Sequence, residues 1–245
     1  MLKKLPLEYN FFTPKIIKKV ISSNKALAEL NWVVQKIPNQ SILINSLSLQ
    51  EAKDSSEIES IVTTHDELYK SRVSNDYISK EAKEVENYAQ ALLQWFSKIQ
   101  NHKLLTNRDI KEIQSMLEWN NAGFRSQAWT TLTNEETKEV VYTPPQDKKV
   151  IEEMMDNLEK YINTSDDDTD PLIRMAIIHR QFESIHPFFD GNWRTGRIIN
   201  ILYLVLNDLL DMPVLYLSKY LINNKSEYYK KYGTLTTGKV GYSTC

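Results

Sequence analysis

Twelve residues toward the C-terminal end of this 245-residue chain decide its fold: His186-Pro187-Phe188-Phe189-Asp190-Gly191-Asn192-Trp193-Arg194-Thr195-Gly196-Arg197. Apolar helical patterns flank the stretch on both sides, at residues 171–185 and 198–210. Charged and polar side chains between two buried helices cost folding free energy. Such a cost is typical of functional sites, so this stretch is the candidate active site.

The residue order predicts an anion-binding turn followed by a helix. Pro187 disfavours helical backbone at His186, and Gly191 permits a turn that other residues resist. A helix that resumes near Asn192 directs unpaired backbone N–H groups at this turn. Helix N-termini bind phosphate in this way.

Four side chains of the stretch can supply chemistry to a bound phosphate. Arg194 and Arg197 lie three residues apart, so both guanidinium groups can reach phosphate oxygens on one side of the helix. Asp190 suits a hydrated Mg²⁺ beside those phosphates, and His186 can take a proton from a hydroxyl. The combination predicts transfer from a nucleoside triphosphate to a hydroxyl. A structural loop with surface arginines is the alternative that the residue types leave open.

The stretch closely resembles the Fic-domain motif, His-Pro-Phe-x-Asp-Gly-Asn-Gly-Arg-x-x-Arg, and matches eight of its nine fixed positions. The resemblance implies a protein adenylyltransferase, which moves AMP from ATP to a Ser, Thr or Tyr hydroxyl of a target protein or of itself. It implies that His186 is the base, that Arg194 is catalytic, that Asp190 holds Mg²⁺ and that Arg197 holds the γ-phosphate. It also implies that the nucleotide contacts Gly191, Asn192, Trp193, Arg194, Thr195, Gly196 and Arg197.

Trp193 is the one departure, because the family motif has a glycine at this position. The backbone N–H survives, but an indole now stands where phosphate and backbone approach each other. Either the indole points away and the site works, or the pocket is narrowed or altered. The family includes members that move other nucleotides or phosphocholine. The alternatives are therefore another donor, removal of AMP, or a nucleotide-binding module without catalysis.

The N-terminal region, residues 1–74, predicts helices and resembles the region that often precedes Fic domains. Ser55 and Glu59 match the family's inhibitory pattern, Ser/Thr-x-x-x-Glu-Gly/Asn, and Ser60 departs from it at the last position. The resemblance implies an inhibitory helix near residues 55–70, with Glu59 paired to Arg197 in place of the γ-phosphate.

The residue types alone offer another explanation of this segment. A helix that begins at Asp54 would have Ser56 and Glu59 as a capping box, which stabilises helix starts in many proteins. A capped core helix without a regulatory role is therefore the alternative to inhibition.

A β-prone segment interrupts the helical patterns at residues 125–143, with two strand-like runs around a polar tip. It predicts a hairpin and resembles the Fic flap, which adds a strand to the target protein's segment. By resemblance, the flap residues over the nucleotide are Glu139, Val140, Val141 and Tyr142. Tyr228 and Tyr229 resemble paired tyrosines that the family places near adenine.

Glu183 and His179, which precede the motif in the chain, carry a weaker signal. Glu183 and His186 have the Glu-x-x-His spacing of di-iron bundles, but no second copy of that pattern follows. We therefore expect no metal on Glu183, and we expect His179 to be a core histidine.

Composition and charge limit the classes of partner. A net charge of −2 argues against nucleic-acid binding. One cysteine cannot form a disulfide framework, which favours the cytoplasm, and no apolar stretch is long enough to span a bilayer. We expect ATP and Mg²⁺ as ligands, no membrane contact and an unknown target protein docked along residues 125–143. A homodimer is left open.

The expected fold is all-α, a Fic-type helical bundle with one β-hairpin flap and an N-terminal helical extension. The expected divisions are residues 1–74 for the N-terminal region, 75–232 for the Fic core and 233–245 for a flexible or altered tail.

Overall fold

The computed structural model describes residues 2–73, 79–126, 128, 130–134, 140–164, 168–224, 227–228 and 242–244. These described residues contain nine helices and three short strands, joined by loops. The side chains of residues 71–73, 133–134, 141 and 242–244 are outside this description. The helices are α1 (Pro14–Gln35), α2 (Gln40–Ile58), α3 (His65–Val73), α4 (Lys80–His102), α5 (Asn107–Glu118), α6 (Lys148–Asn163), α7 (Pro171–Ile185), α8 (Asn192–Leu206) and α9 (Leu217–Asn223). The strands are β1 (Leu132–Asn134), β2 (Val140–Tyr142) and β3 (Tyr242–Thr244).

Helix α8 lies at the centre of the fold. Every residue from Asn192 to Val205 is buried, and the run from Ile198 to Val205 carries apolar side chains in nearly all directions. A helix that is apolar on all sides belongs in a core. Helices α2, α4, α5 and α7 pack around it, so the motif residues in its first two turns lie in the protein interior.

The predicted all-α class is confirmed, and side-chain caps mark several helix starts. Thr106 and Asp109 form a capping box at the start of α5, and Asp170 caps α7, whose first residue is Pro171. Helix α1 runs without a break through the polar residues 22–24. Within the described ranges, no helix has the length and apolar character needed to cross a bilayer.

The predicted helix start at Asp54 is wrong. Helix α2 continues through this position and ends at Ile58, and Glu59 is its C-terminal cap. The hydroxyl of Ser56 makes no hydrogen bond within the described part of the chain, so the capping box is wrong as well. Residues 55–70, all of them described, contain the end of α2, a connection and the start of α3 instead of one inhibitory helix.

The strands lie in the segment for which a hairpin is predicted, and one comes from the C-terminal tail. β1 and β2 pair antiparallel, with Leu132 opposite Tyr142, while residues 135–139 between them are outside the description. β3 pairs with the other edge of β1. Residues 242–244 are therefore a paired strand within the tail expected to be flexible or altered, and residues 233–241 and 245 are not described. The role of the pair as a flap stays a prediction.

Gly196→Ala is expected to destabilise the protein by about 1–3 kcal/mol, the usual cost of overpacking a core. Helices α7 and α8 approach so closely at Gly196 that a Cβ atom would collide with the Glu183 carboxylate and press on Phe182 and His179. The free energy of unfolding in urea measures the effect. Gly123→Asn is the control, because the space there is open and asparagine tolerates the positive φ. A Gly196→Ala protein as stable as the original would contradict this packing.

Candidate active site

The motif residues run from the end of α7 through a partly buried loop into the first two turns of α8. His186 ends α7 in a left-handed conformation, with φ +48°, and its backbone N–H donates to the Phe182 carbonyl at 3.0 Å. Gly191 begins α8 at φ +77°, where glycine avoids the strain of other residues. These two reversals connect the predicted base to the N-terminus of α8 through residues 187–190.

The amide of Asn192 holds this loop in shape. Its Oδ1 accepts the Phe188 backbone N–H and its Nδ2 donates to the Phe188 carbonyl, both at 2.9 Å. The phosphate contact predicted for Asn192 is thereby left to its backbone N–H or to its second amide hydrogen. This motif side chain thus contributes to the shape of the loop, and its ligand contact stays a prediction.

Arg125 holds the same loop from the side of β1 and β2, a role that sequence reasoning missed. Its Nε donates to the His186 carbonyl at 2.7 Å and its backbone N–H donates to the Pro187 carbonyl at 2.8 Å. Its Nη2 donates to the Pro145 carbonyl at 2.5 Å. The run Gly123-Phe124-Arg125 marked only the start of a flap, and nothing in it indicated that the arginine would hold the peptide of the base.

The imidazole of His186 is fully buried, and neither ring nitrogen makes a hydrogen bond to any described residue. Burial, together with the nearby positive charge of Arg125, lowers the pKa of His186 to about 3. The ring is therefore neutral at pH 7, which is the state that a base requires. Negative charge brought by a bound phosphate would raise this pKa and strengthen the base.

Asp190 lies at the exposed edge of the turn. Its Oδ1 accepts the Gly191 backbone N–H at 2.7 Å, and its carbonyl accepts from Gln114 Nε2 at 3.2 Å. Among the described residues, no group of three or more His, Cys, Asp or Glu side chains could hold a metal ion. One exposed carboxylate beside a phosphate turn fits Mg²⁺, which is often bound by one or two carboxylates and substrate phosphates.

Arg197 is bound by the C-terminal end of α2. Its Nε donates to Ser55 Oγ at 2.6 Å, and its Nη2 donates to the Ser55 carbonyl at 2.8 Å and to Glu59 Oε1 at 3.0 Å. The arginine side chain is 1% exposed and that of Glu59 is 24% exposed. The structure thus brings both predicted regulatory residues onto the arginine predicted to hold the γ-phosphate.

A helix-terminating backbone motif holds Glu59 in this place. The Ile61 N–H donates to the Ser56 carbonyl at 3.0 Å and the Ser60 N–H donates to the Glu57 carbonyl at 3.1 Å. These two bonds define a Schellman motif, which puts Ser60 in the left-handed region at φ +65°. Glycine and asparagine adopt that conformation most easily, so the geometry explains why the family pattern has them where this chain has Ser60.

Two buried carboxylates near Arg197 were missed by sequence reasoning. Glu51 accepts from the Ser218 backbone N–H at 2.9 Å and from its hydroxyl at 2.6 Å. Burial raises the pKa values of Glu51 and Glu183, that of Glu183 well above its usual range, and the charge of Arg197 opposes both shifts. Neither residue stood out in the sequence except as part of an incomplete metal pattern.

Arg194 lies between carboxylates from two other helices, which sequence reasoning also missed. Its Nη1 is 3.0 Å from Glu84 Oε2 of α4, and its Nη2 is 2.5 Å from Glu118 Oε1 of α5. Burial raises the pKa of Glu118 to about 7, and the negative charges of Asp190 and Glu84 add to this effect, while Arg194 opposes it. The guanidinium group predicted to contact phosphate is therefore paired with two carboxylates in this structure.

The indole of Trp193 packs against α2 and α9. It forms a buried cluster with Ile58, bordered by Leu221, Ile222 and Tyr228, and its ring meets that of Tyr228 edge-on at 6.4 Å. Of the two orientations considered for Trp193, the structure has the indole against neighbouring helices rather than over the turn. The adenine contact of Tyr228 stays a prediction, and the ring packs on this indole.

The other predicted site residues lie on β2, within α8 or outside the described residues. The Tyr142 hydroxyl donates to the Ser184 carbonyl at 3.0 Å, and Val140 is exposed on β2, whose backbone includes Val141. Thr195 is fully buried and Gly196 faces α7. His179, which we expected as a core histidine, shares a 2.9 Å hydrogen bond with the Tyr228 hydroxyl. Glu139 and Tyr229 are outside the described residues.

Comparison with known sequences finds two matches to one family. A sequence model described as Fic/DOC family N-terminal matches residues 17–97, and one described as Fic/DOC family matches residues 104–204. The second match contains the whole motif, residues 186–197.

Solved structures similar to this fold carry the same family description. A Fic family protein from Desulfovibrio desulfuricans G20 has a TM-score of 0.73 at 19% identity, over 94% of this chain and 68% of its own. A Fic domain containing signaling protein from Bacteroides thetaiotaomicron VPI-5482 has 0.64 at 20% identity, over 88% and 80%. Fic-1 from C. elegans has 0.66 at 18% identity, over 93% and 67%. At these identities the likeness concerns the fold.

His186→Gln is expected to flatten the acid side of the stability profile. The unfolded chain protonates this imidazole near pH 6.5, whereas the buried ring stays neutral down to about 3. The unfolded state therefore binds the extra proton in this window, and His186 makes stability fall as the pH drops, by roughly 1.4 kcal/mol per pH unit. Urea unfolding between about pH 4.5 and 7.5 measures the slope. The exposed His102→Gln is the control, and an unchanged slope in His186→Gln would refute the assignment.

Proposed function

Because the chain belongs to the Fic/DOC family, we propose that it is a protein adenylyltransferase that transfers AMP from ATP to a Ser, Thr or Tyr hydroxyl of a target protein or of itself. One observation carries the proposal. A neutral histidine, His186, and a helix N-terminus with two buried arginines, Arg194 and Arg197, are held together by one loop. This arrangement suits a phosphate donor and a hydroxyl acceptor.

In the proposed reaction, the acceptor oxygen attacks the α-phosphorus of ATP. The new bond joins that oxygen to phosphorus, the bond from phosphorus to the pyrophosphate oxygen breaks, and pyrophosphate leaves. His186 takes the proton of the acceptor hydroxyl, while Arg194 and the N–H groups at the start of α8 stabilise the developing charge. Mg²⁺ held by Asp190 would supply further positive charge at the phosphates.

Inhibition by Glu59 is part of the proposal. The guanidinium of Arg197 already binds Ser55 and Glu59, so a γ-phosphate has to displace the carboxylate. A negative charge at this place opposes a triphosphate both by repulsion and by volume. The resting chain is therefore expected to be a weak enzyme.

The site says less about the identity of the donor, the cellular location, the target protein and the oligomeric state. Transfer of another nucleotide, removal of AMP, and nucleotide binding without turnover are the alternatives. The position of Trp193 against α2 and α9 favours a working phosphate turn over the last of these. A cytoplasmic location, a target docked along residues 125–143 and a homodimer stay predictions.

Glu59→Gly is expected to gain the mass of one or more AMP groups on incubation with ATP and Mg²⁺, because Arg197 is then available to the γ-phosphate. Intact-protein mass spectrometry measures the product, and the unaltered chain should gain severalfold less. The matched control is Glu59→Gly with His186→Ala, which should bind ATP and gain no mass. No gain with ATP would reject AMP transfer by this chain to itself, and added target candidates or other nucleotides would then separate the alternatives.

Ile58→Ala is expected to raise AMP incorporation at least severalfold without changing any charged residue. Ile58 packs on Trp193 one residue before Glu59, so a cavity there weakens the hold on the end of α2, by about 2–5 kcal/mol if fully buried. The same mass measurement gives the rate. Ile162→Ala, a buried change in α6, controls for loss of stability alone. Equal rates in the two variants would mean that the Trp193 contact has no part in inhibition.

A further inference from the structure

We propose that the Glu118 carboxyl group holds Arg194 in place of the donor's phosphates and has to leave before a donor can bind. The inference rests on the proposed function for the position of those phosphates. It adds a second inhibitory contact, on a different arginine and from a different helix, to the contact between Glu59 and Arg197.

The first support is the pairing of Arg194. Its side chain is 4% exposed and lies between Glu84 at 3.0 Å and Glu118 at 2.5 Å, so both ends of the guanidinium contact a carboxylate. The planar fork of an arginine binds carboxylate and phosphate oxygens with the same geometry. An acid in this position therefore imitates a phosphate on the same donor groups.

The second support is the place of Glu118 relative to the turn. The three atoms nearest to a Cβ built on Gly191 all belong to the Glu118 side chain, and its Oε1 would overlap that atom. The carboxylate thus lies directly against the residue that begins α8, where backbone N–H groups attract negative charge. Glu84, by contrast, reaches Arg194 without being among the nearest neighbours of Gly191.

The third support is the density of negative charge around the turn. The charges of Asp190 and Glu84 already act on Glu118, and a polyphosphate would add several more within the same space. Like charges placed together in an interface oppose binding. A donor therefore binds this turn only after Glu118 has moved away from it.

The end of α5 offers a way for the carboxylate to move. Glu118 is the last residue of α5, and Trp119 follows it in a left-handed conformation with an exposed side chain. A side chain on the last turn can change rotamer without repacking the helices around α8.

Arg194 is paired with both Glu84 and Glu118. A variant that loses one of these acids therefore keeps the other as a partner of the buried guanidinium.

Binding of inorganic pyrophosphate, measured by isothermal titration calorimetry, tests the inference without requiring adenine recognition or transfer. Glu118→Gln and Glu84→Gln are compared in the Glu59→Gly background, which removes the Glu59 carboxylate from Arg197, and again in the otherwise unaltered chain. We expect Glu118→Gln to bind about tenfold more tightly than its parent, as removal of one close like charge predicts. Glu84→Gln should stay within about threefold of the parent. Glu118→Ala is a second variant in case the glutamine itself contacts the anion.

Each other outcome overturns the inference. Unchanged or weaker binding in the Glu118 variants would mean that Glu118 only positions Arg194, and no binding by any variant would mean that this acid is not what excludes anions. Equal tightening in Glu84→Gln would indicate a general charge effect. Tighter pyrophosphate binding without AMP transfer, either to the chain itself or to added target candidates, would reject the proposed function and keep the inference, whereas transfer by Glu59→Gly without any Glu118 effect would do the reverse.

Discussion

The burial of two guanidinium groups on α8 is the constraint on which the rest of the structure depends. A buried charge is tolerated only when it is paired and hydrogen-bonded, because unpaired it costs several kcal/mol or more. Arg194 and Arg197 are both buried at the centre of the bundle. Acids from α4, α5 and the end of α2 surround them. In the resting protein these acids stabilise the fold, and the fold in turn brings four helices to the motif.

The same pairing puts folding stability and ligand binding in opposition. A phosphate binds a buried arginine by the same bonds that a carboxylate makes, so an acid in the donor's place, as proposed for Glu59 and Glu118, stabilises the resting chain and competes with a donor. Removing an acid frees the arginine and at the same time leaves its charge less well compensated. Variants that gain activity by losing Glu59 are therefore expected to lose stability, which is the usual exchange at functional sites. The buried Glu51 and Glu183 near Arg197 compensate little of that loss, because burial raises the pKa values of both carboxyl groups.

Much of the site could be predicted from sequence where its residues are adjacent in the chain. The turn at Gly191, the start of α8 and the helix before His186 follow from local rules about proline, glycine and apolar periodicity, and the pairing of Glu59 with Arg197 followed from resemblance. Glu84 and Glu118 could not be found in this way, because they reach Arg194 from separate helices. The end of α2 was misplaced for a related reason. Its last turns bury polar residues, among them Glu51 and Ser55, against the arginine on α8, so the apolar pattern that marks a helix stops before the helix does.

Trp193 and Ser60, the two departures from the family patterns, meet at the same structural element. Ser60 occupies the left-handed position that ends α2, where its side chain is tolerated with more strain than glycine would have. Trp193 packs on Ile58, the last residue of that helix. A less favourable helix end is thus accompanied by an additional apolar contact to the motif helix. Because Glu59 lies between Ile58 and Ser60, both departures act on how firmly the carboxylate is held on Arg197. The change from glycine to tryptophan in the motif therefore bears on the proposed inhibition by Glu59 more directly than on the proposed phosphate binding.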